Sequence, residues 1–276
     1  MTIRKFPSCL LAIVALGANA QDAREIVRRA VELDQNNWIS RADYTWVGHS
    51  HERHFDAHNQ VTSDHRESWE TLILDGLPFT RELSRDDKPL PAAEERKEQQ
   101  KLDKETARLA SQSPEEKQKR AAEFEKSRRK ERAFLLEIPD AFDLHLDGSA
   151  TIDGQDVWVI SGVPKPGFHA RTRDGAALSK IRGKMWIEKA GNQWVRVEAE
   201  TIQTISFGVF LARLSPGAKL VIEESKVGDS LWLPRREYMS GKGRVGLVKR
   251  IAEDDEITWT DYKKFQVDSR IIPHDP

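Results

Sequence analysis

Five histidines stand close together near the start of the chain, and histidine is the commonest metal-binding side chain in proteins. Four of them lie in the stretch YTWVGHSHERHFDAHNQ, residues 44–60, and the fifth is His65. The surrounding pattern predicts two strands joined by a hairpin turn at His58 and Asn59. The register of that hairpin decides which side chains meet, and therefore whether a metal ion has ligands.

A tight turn at that position pairs the two strands so that the histidines separate onto two faces. His49 and His51 point to one face, where Arg66 stands opposite His51 and its permanent charge repels a cation. No cysteine or carboxylate lies at ligand spacing on that face. Glu52 and His65 share the other face, where we predict an ion pair. We therefore predict a strand decorated with histidines, with no metal site and no cofactor.

A second candidate motif is GKGRVG, residues 241–246, which matches the dinucleotide-binding fingerprint letter for letter. That fingerprint needs a strand before it and a helix after it. Both flanks here have the pattern of strands, so we predict a hairpin turn and no nucleotide. No nucleophile elbow or zinc-protease motif occurs. We expect no catalytic residues and no enzyme activity, with a metal-dependent or carboxylate hydrolase at the histidine strand as a remaining alternative.

The first twenty residues have the pattern of a signal peptide. Arg4 and Lys5 precede a short apolar run, and Ala18-Asn19-Ala20 is a small-x-small cleavage site. We expect cleavage after Ala20 and a periplasmic mature chain of residues 21–276, forming one domain without a transmembrane segment. The only cysteine is in the leader, so the mature chain has no disulfide. A net charge of −1 argues against a nucleic-acid partner.

The rest of the chain is predicted to be mainly β. An amphipathic helix over residues 22–36 precedes three strands, and a highly charged insertion at about 91–132 then predicts a helical hairpin with a capping box at Ser113 and Glu116. Strands with hairpin-type turns follow to the end. We predict an α+β, mainly β fold, with a continuous antiparallel sheet that is sandwich-like or curled into a partial barrel.

Tryptophan is the most distinctive apolar residue, with eight copies in the chain. Seven of them fall in predicted strands, about one in each. On the inside of a curled sheet they would line an apolar pocket suited to acyl chains, with the N-terminal helix and the segment FGVFLARL as plug or lid. Alternatively, they only pack the core. The predicted pocket residues are Trp46, Trp69, Trp158, Trp186 and Phe207.

These features together resemble a known family. YTW opens the first strand, and LSKIRGKMWIEKAGNQWVRVEAE, ISFGVFLARLSPGAKLVIEES and SLWLPRREY follow the charged insertion. From about residue 23 to residue 267 the chain resembles exported bacterial proteins of the outer-membrane lipoprotein-sorting type, which are related to LolA/LolB-like carriers. The resemblance implies an unclosed antiparallel half-barrel around helices, an apolar cavity for acyl groups, and no catalytic residues. The long charged hairpin departs from the true carriers.

The leading hypothesis is a non-enzymatic periplasmic protein that binds or carries lipid acyl chains or lipoproteins toward the outer membrane. A membrane-associated receptor would be its partner, and we expect a monomer. The alternative is a structural or interaction module with a packed tryptophan core, in which the charged hairpin binds a protein partner.

Overall fold

The computed structural model describes residues 11–207, 212–228, 231–245 and 249–265; within these ranges the side chains of residues 11–22, 207, 212, 245, 249 and 250 are not described. The helices are α1 (Leu11–Ser40), α2 (Ala92–Ala110), α3 (Pro114–Glu131) and α4 (Ile138–Ala141). The strands are β1 (Tyr44–Phe55), β2 (Val61–Leu74), β3 (Leu77–Arg85), β4 (Lys88–Pro89), β5 (Phe142–Ile152), β6 (Gln155–Pro164), β7 (Ile181–Glu188), β8 (Trp194–Thr201), β9 (Ile205–Phe207), β10 (Ala212–Leu214), β11 (Lys219–Val227), β12 (Leu231–Val245) and β13 (Lys249–Lys264).

All thirteen strands belong to one antiparallel sheet. Eleven follow the order β4-β3-β2-β1-β13-β12-β11-β8-β7-β6-β5, while β10 pairs with β12 and β9 pairs with β10. In the described part of the chain β4 and β5 do not pair with each other, so the sheet remains open. The predicted fold class, an unclosed antiparallel half-barrel with covering helices, is confirmed.

Helix α1 packs against one face of this sheet with a stripe of small and branched apolar residues. Ala23, Val27, Ala30 and Val31 are at most 1% exposed and recur at helical spacing. They share the main core with inward side chains of β5 to β8, among them Ile160. We call the face that α1 covers the inner face and the opposite one the outer face. No described helix is long and apolar enough to cross a membrane.

The charged insertion forms the predicted helical hairpin of α2 and α3. Ser113 accepts a hydrogen bond from the Glu116 backbone, and the Glu116 side chain accepts one from the Ser113 backbone, so the predicted capping box is present. Helix α2 buries Leu102 and Leu109 against Leu74 and its neighbours in β2 and β3. The hairpin therefore packs along its side on the sheet, rather than resting on it only by its ends.

Candidate functional site

The inner face carries an apolar cavity of about 500 Å³ between the strands and two short 3₁₀ segments, Ala133–Glu137 and Asp174–Lys180. This volume lies within the range of about 300–1,000 Å³ that is typical of small-molecule sites. The apolar lining residues are Phe134, Ala176, Ala177, Ile181, Ala199, Ile205, Leu214, Ala218, Leu220 and Met239.

Small residues along one row of the sheet create this space. Ala199 of β8 pairs with Gly183 of β7 and with Leu220 of β11, which in turn pairs with Met239 of β12. Because cross-strand partners share a face, the four residues form one row on the inner face. Ala199 lines the cavity and carries only a methyl group, so the row leaves space there that Leu or Ile would fill. Gly183 does not line it, and an added Cβ there would lie 2.8 Å from the carbonyl oxygen of Glu198.

A buried carboxylate holds the two 3₁₀ segments over the cavity. Glu137 is 1% exposed and accepts hydrogen bonds from the backbone of Arg171 and from the backbone and hydroxyl of Thr172. Burial raises the pKa of Glu137, but these hydrogen bonds outweigh burial and hold that pKa below its ordinary value. This contact fixes the position of Phe134 and of Ala176 above the sheet.

Charged residues surround the apolar lining. Arg173 and Lys180 border the cavity together with Asp174. Glu200 and Lys219 also line it, but they alternate with Ala199 and Leu220 and therefore point to the outer face. Among the described residues, neither Arg173 nor Lys180 has an ion-pair partner within 4.0 Å. The rim therefore has a local positive excess.

The apolar segment predicted to act as plug or lid contributes to this cavity. Leu214 of β10, the last residue of that segment, lines it, and so does Ile205 of β9, which precedes the segment. The two strands form a short pair beside the end of β12. Residues 208–211 of the segment lie outside the described ranges. Thr201 ties the pair to the sheet, because its hydroxyl donates to the carbonyl of Ser215 at 2.8 Å.

Where α1, the end of α3 and the sheet meet, three guanidinium groups surround one indole ring. Arg132, Arg41 and Arg128 lie 4.7, 5.2 and 5.5 Å from the ring centroid of Trp38. Arg128 also donates to the carbonyl of Ile39. Burial lowers the pKa of both Arg41 and Arg128. The cluster joins the charged hairpin to α1 through cation–π contacts.

Two buried carboxyl groups, Asp34 and Glu224, lie beside this cluster. Asp34 is 3% exposed and accepts hydrogen bonds from Arg132 at 2.7 and 2.9 Å. Burial raises the pKa of Glu224 well above its ordinary value, and the neighbouring Asp34 raises it further. Burial also raises the pKa of Asp34, against the lowering effect of Arg132. Asp34 and Glu224 are therefore neighbouring buried acids, and the pKa of each lies above its ordinary value.

The raised pKa of Glu224 makes stability depend on pH. Because the pKa is higher in the folded than in the unfolded chain, this contribution is complete below the unfolded value and is lost as pH rises through the folded value. We expect Glu224→Gln to flatten the fall of unfolding free energy with pH by about 1.4 kcal/mol for each pKa unit removed. Urea unfolding across a pH series measures this, with the exposed Glu67→Gln as control. Identical slopes for wild type and Glu224→Gln would contradict the assignment.

The predicted pocket residues are dispersed over the sheet. Trp69 covers Gly48, where an added Cβ would lie 2.4 Å from the indole ring, and Trp46 stacks on Arg41 at 4.2 Å. Trp158 packs against the main core of the inner face, whereas Trp186 joins a cluster on the outer face. No tryptophan is among the described residues that line the 500 Å³ cavity. A ligand-binding role for these four residues stays a prediction.

The fifth predicted residue, Phe207, ends β9 and pairs with Ala212, but its side chain lies outside the described part. The cavity residues that the sequence did not single out are mostly small and aliphatic, such as Ala199 and Leu220. The sequence signal that could have indicated the cavity is a set of small residues at positions that pair across neighbouring strands. It becomes visible only once the strand order is known.

The histidines separate onto two faces as predicted, but the expectation of no carboxylate near His51 is wrong, because Asp64 lies 3.0 Å from His51 Nε2. His51 stands opposite Arg66, His49 opposite Ser68 and Glu52 opposite His65. The expected ion pair between Glu52 and His65 does not form. Instead Glu52 contacts His54 at 2.6 Å, and His65 lies 3.7 Å from Asp86. The reason is that residues two apart on one strand share a face and can meet as closely as cross-strand partners.

The glycine motif is not a hairpin turn over its described residues. Gly241 and Gly243 lie within β12 and pair with β13, while Gly246 lies outside the described ranges. An added Cβ on Gly243 would lie 2.5 Å from the carbonyl of Arg213 in β10. The glycines thus allow β10 to approach β12 closely. The described flanks are both strands, so the arrangement is not that of a dinucleotide site.

No family model matches the sequence, and no curated protein matches it. Solved structures do resemble it. A putative outer-membrane lipoprotein-sorting protein domain from Vibrio parahaemolyticus has a TM-score of 0.37 and 12% identity, covering 92% of this chain and 96% of that one. A LolA superfamily protein from Nitrosomonas europaea has a TM-score of 0.30 and 9% identity, with coverages of 88% and 93%. The MucA/MucB complex of Pseudomonas aeruginosa gives 0.23 and 10%, with coverages of 89% and 100%.

The resemblance noted in the sequence is confirmed in that lipoprotein-sorting and LolA superfamily proteins are among the structural neighbours. With TM-scores below 0.5 and identities of at most 12%, these similarities carry no argument about what the present chain binds.

Proposed function

We propose that this chain is an exported, non-enzymatic periplasmic protein that binds the acyl chains of a lipid or lipoprotein and carries them toward the outer membrane. The observation that supports this most strongly is the apolar cavity of about 500 Å³ on the inner face. The predicted signal peptide of residues 1–20 supports export, and a membrane-associated receptor is the proposed recipient. We propose that the mature chain acts as a monomer.

Burial of methylene groups supplies the binding energy in this proposal. Each buried methylene contributes about 0.8 kcal/mol, so about ten of them provide about 8 kcal/mol. Before the cost of association is subtracted, that corresponds to a dissociation constant of about 1 μM. No specific polar contact is required inside the cavity, which fits a lining of Leu, Ile, Ala, Phe and Met side chains.

The rim gives the ligand a preferred charge. Arg173 and Lys180 border the cavity on the side of the second 3₁₀ segment, and Asp174 is the acidic residue beside them. An acyl chain in the cavity would place its headgroup among these cations. We therefore propose an anionic headgroup or carboxylate as the preferred end of the ligand.

A competition experiment tests both parts of the proposal. The purified chain is titrated with a fluorescent fatty acid, which is then displaced by dodecanoate or by dodecyltrimethylammonium. We expect saturable binding at one site and stronger displacement by the anionic competitor. Absence of saturable binding would contradict acyl binding, whereas equal displacement would contradict only the role of the rim.

A further inference from the structure

The inner face brings together three potential metal ligands from opposite ends of the sequence. Glu52 and His54 come from β1 and Glu253 from β13, and each offers a ligand atom within 4.8 Å of the others. His54 Nε2 lies 2.6 Å from a Glu52 carboxylate oxygen, and His54 Nδ1 lies 3.6 Å from a Glu253 carboxylate oxygen. One imidazole therefore lies between two carboxylates.

Strand pairing explains this convergence. Residues two apart on a strand share a face, so Glu52 and His54 point to the same side. In the antiparallel register of β1 with β13, His54 pairs with Glu253, and Glu52 pairs with Asp255. A square of four side chains, with one imidazole and three carboxylates, thus covers two adjacent strands on the inner face.

The charges in this square are not balanced by basic side chains. Within the described ranges, Glu52 and Glu253 form ion pairs only with His54. Asp255 forms none there. On the outer face of the same strands the pattern differs, because Arg53 pairs with Asp254 at 3.0 Å. Like charges on adjacent strands repel, so a bound cation would stabilise this part of the sheet.

We propose that Glu52, His54 and Glu253 form a binding site for a divalent transition-metal ion, with Zn²⁺ as the preferred ion. One imidazole nitrogen with carboxylate oxygens suits Zn²⁺, whereas Ca²⁺ and Mg²⁺ prefer oxygen ligands alone. The nearby Asp255 carboxylate or water completes the coordination. One ring nitrogen of His54 binds the ion in this arrangement, and the other remains available for a hydrogen bond.

The geometry needs only a small adjustment. Zinc ligands at about 2.0–2.2 Å from the ion lie about 3.3 Å from one another in a tetrahedral arrangement. The contact between His54 Nε2 and Glu52 must open by less than about 1 Å, which rotation of the half-exposed Glu52 side chain provides. Glu253 contacts the other ring nitrogen, so its side chain must also turn toward the shared position, starting from ligand atoms within 4.8 Å of one another. The proposal does not depend on acyl binding, because these residues do not line the 500 Å³ cavity.

Zinc titration of the tag-free chain after chelator treatment tests the proposal. By calorimetry we expect one saturable Zn²⁺ site, with His54→Ala and Glu52→Gln each weakening binding at least about tenfold. His49→Ala is the matched control, since His49 lies on the same strand but on the outer face and is exposed. It should bind Zn²⁺ like the wild type.

X-ray absorption of the zinc complex should show one imidazole nitrogen at about 2.0 Å and oxygen ligands for the remainder. Glu253→Gln, which preserves size and strand pairing, provides a second variant if His54→Ala unfolds. The proposal is overturned if the wild type shows no saturable binding, or if Glu52→Gln and Glu253→Gln bind as tightly as wild type. It is also overturned if His49→Ala weakens binding as much as His54→Ala does.

Discussion

Ala199→Trp is expected to abolish measurable acyl binding while the chain remains folded. Ala199 belongs to the cross-strand row on the inner face and is among the residues that line the cavity. An indole at this position occupies the space of about four ligand methylenes, each worth about 0.8 kcal/mol. The dissociation constant for an acyl chain should therefore rise about a hundredfold or more.

The matched control for this variant is Ala150→Trp. Ala150 is also a strand alanine, but it is exposed on β5 and lies outside the cavity. Titration with a fluorescent fatty acid and circular dichroism are measured on both variants. If Ala199→Trp binds like wild type, the cavity is not the acyl site. If both variants lose binding, the effect is not specific to the cavity.

Asp34→Ala is expected to cost about 3–5 kcal/mol of unfolding free energy, because it leaves the mostly buried Arg132 guanidinium without its carboxylate partner. Asp34 is 3% exposed and accepts hydrogen bonds from Arg132, and the neighbouring Glu224 has a raised pKa. Arg132 would then remain near two other guanidinium groups around Trp38. Chemical unfolding measures the loss.

Two further variants show whether that loss comes from the ion pair. Asp43→Ala removes an exposed carboxylate just after α1, the helix that contains Asp34, and should change the unfolding free energy by less than about 0.5 kcal/mol. The double variant Asp34→Leu with Arg132→Met removes both charges and should recover part of the stability. A loss below about 1 kcal/mol for Asp34→Ala would contradict a stabilising role of this ion pair.

Local pattern and turn chemistry were enough to predict much of the fold. The register of β1 with β2 follows from the hairpin, and His51 does stand opposite Arg66. The turn itself is longer than two residues, because β1 ends at Phe55 and β2 begins at Val61. A bulge between His54 and Phe55 shifts the pairing by one residue, and this shift restores the predicted pairs from His54 back along β1. Capping by Ser113 likewise needs only neighbouring residues.

The candidate sites depend on strand order, which local pattern does not contain. His54 meets Glu253 only because β13 lies next to β1, although about two hundred residues separate them along the chain. The tryptophans show the same limit. Alternation tells which residues of one strand share a face, but only the register between β6 and β7 places Trp158 and Trp186 on opposite faces.

Native mass spectrometry of the chain purified from a periplasm tests the central proposal most directly. We expect the mass of a mature chain that begins at Gln21, together with one adduct per chain. The adduct should extract into organic solvent as lipid. A mass equal to the bare chain, unchanged after incubation with phospholipid or acylated peptide, would contradict acyl binding. That result would favour an interaction module that binds a protein partner through α2 and α3.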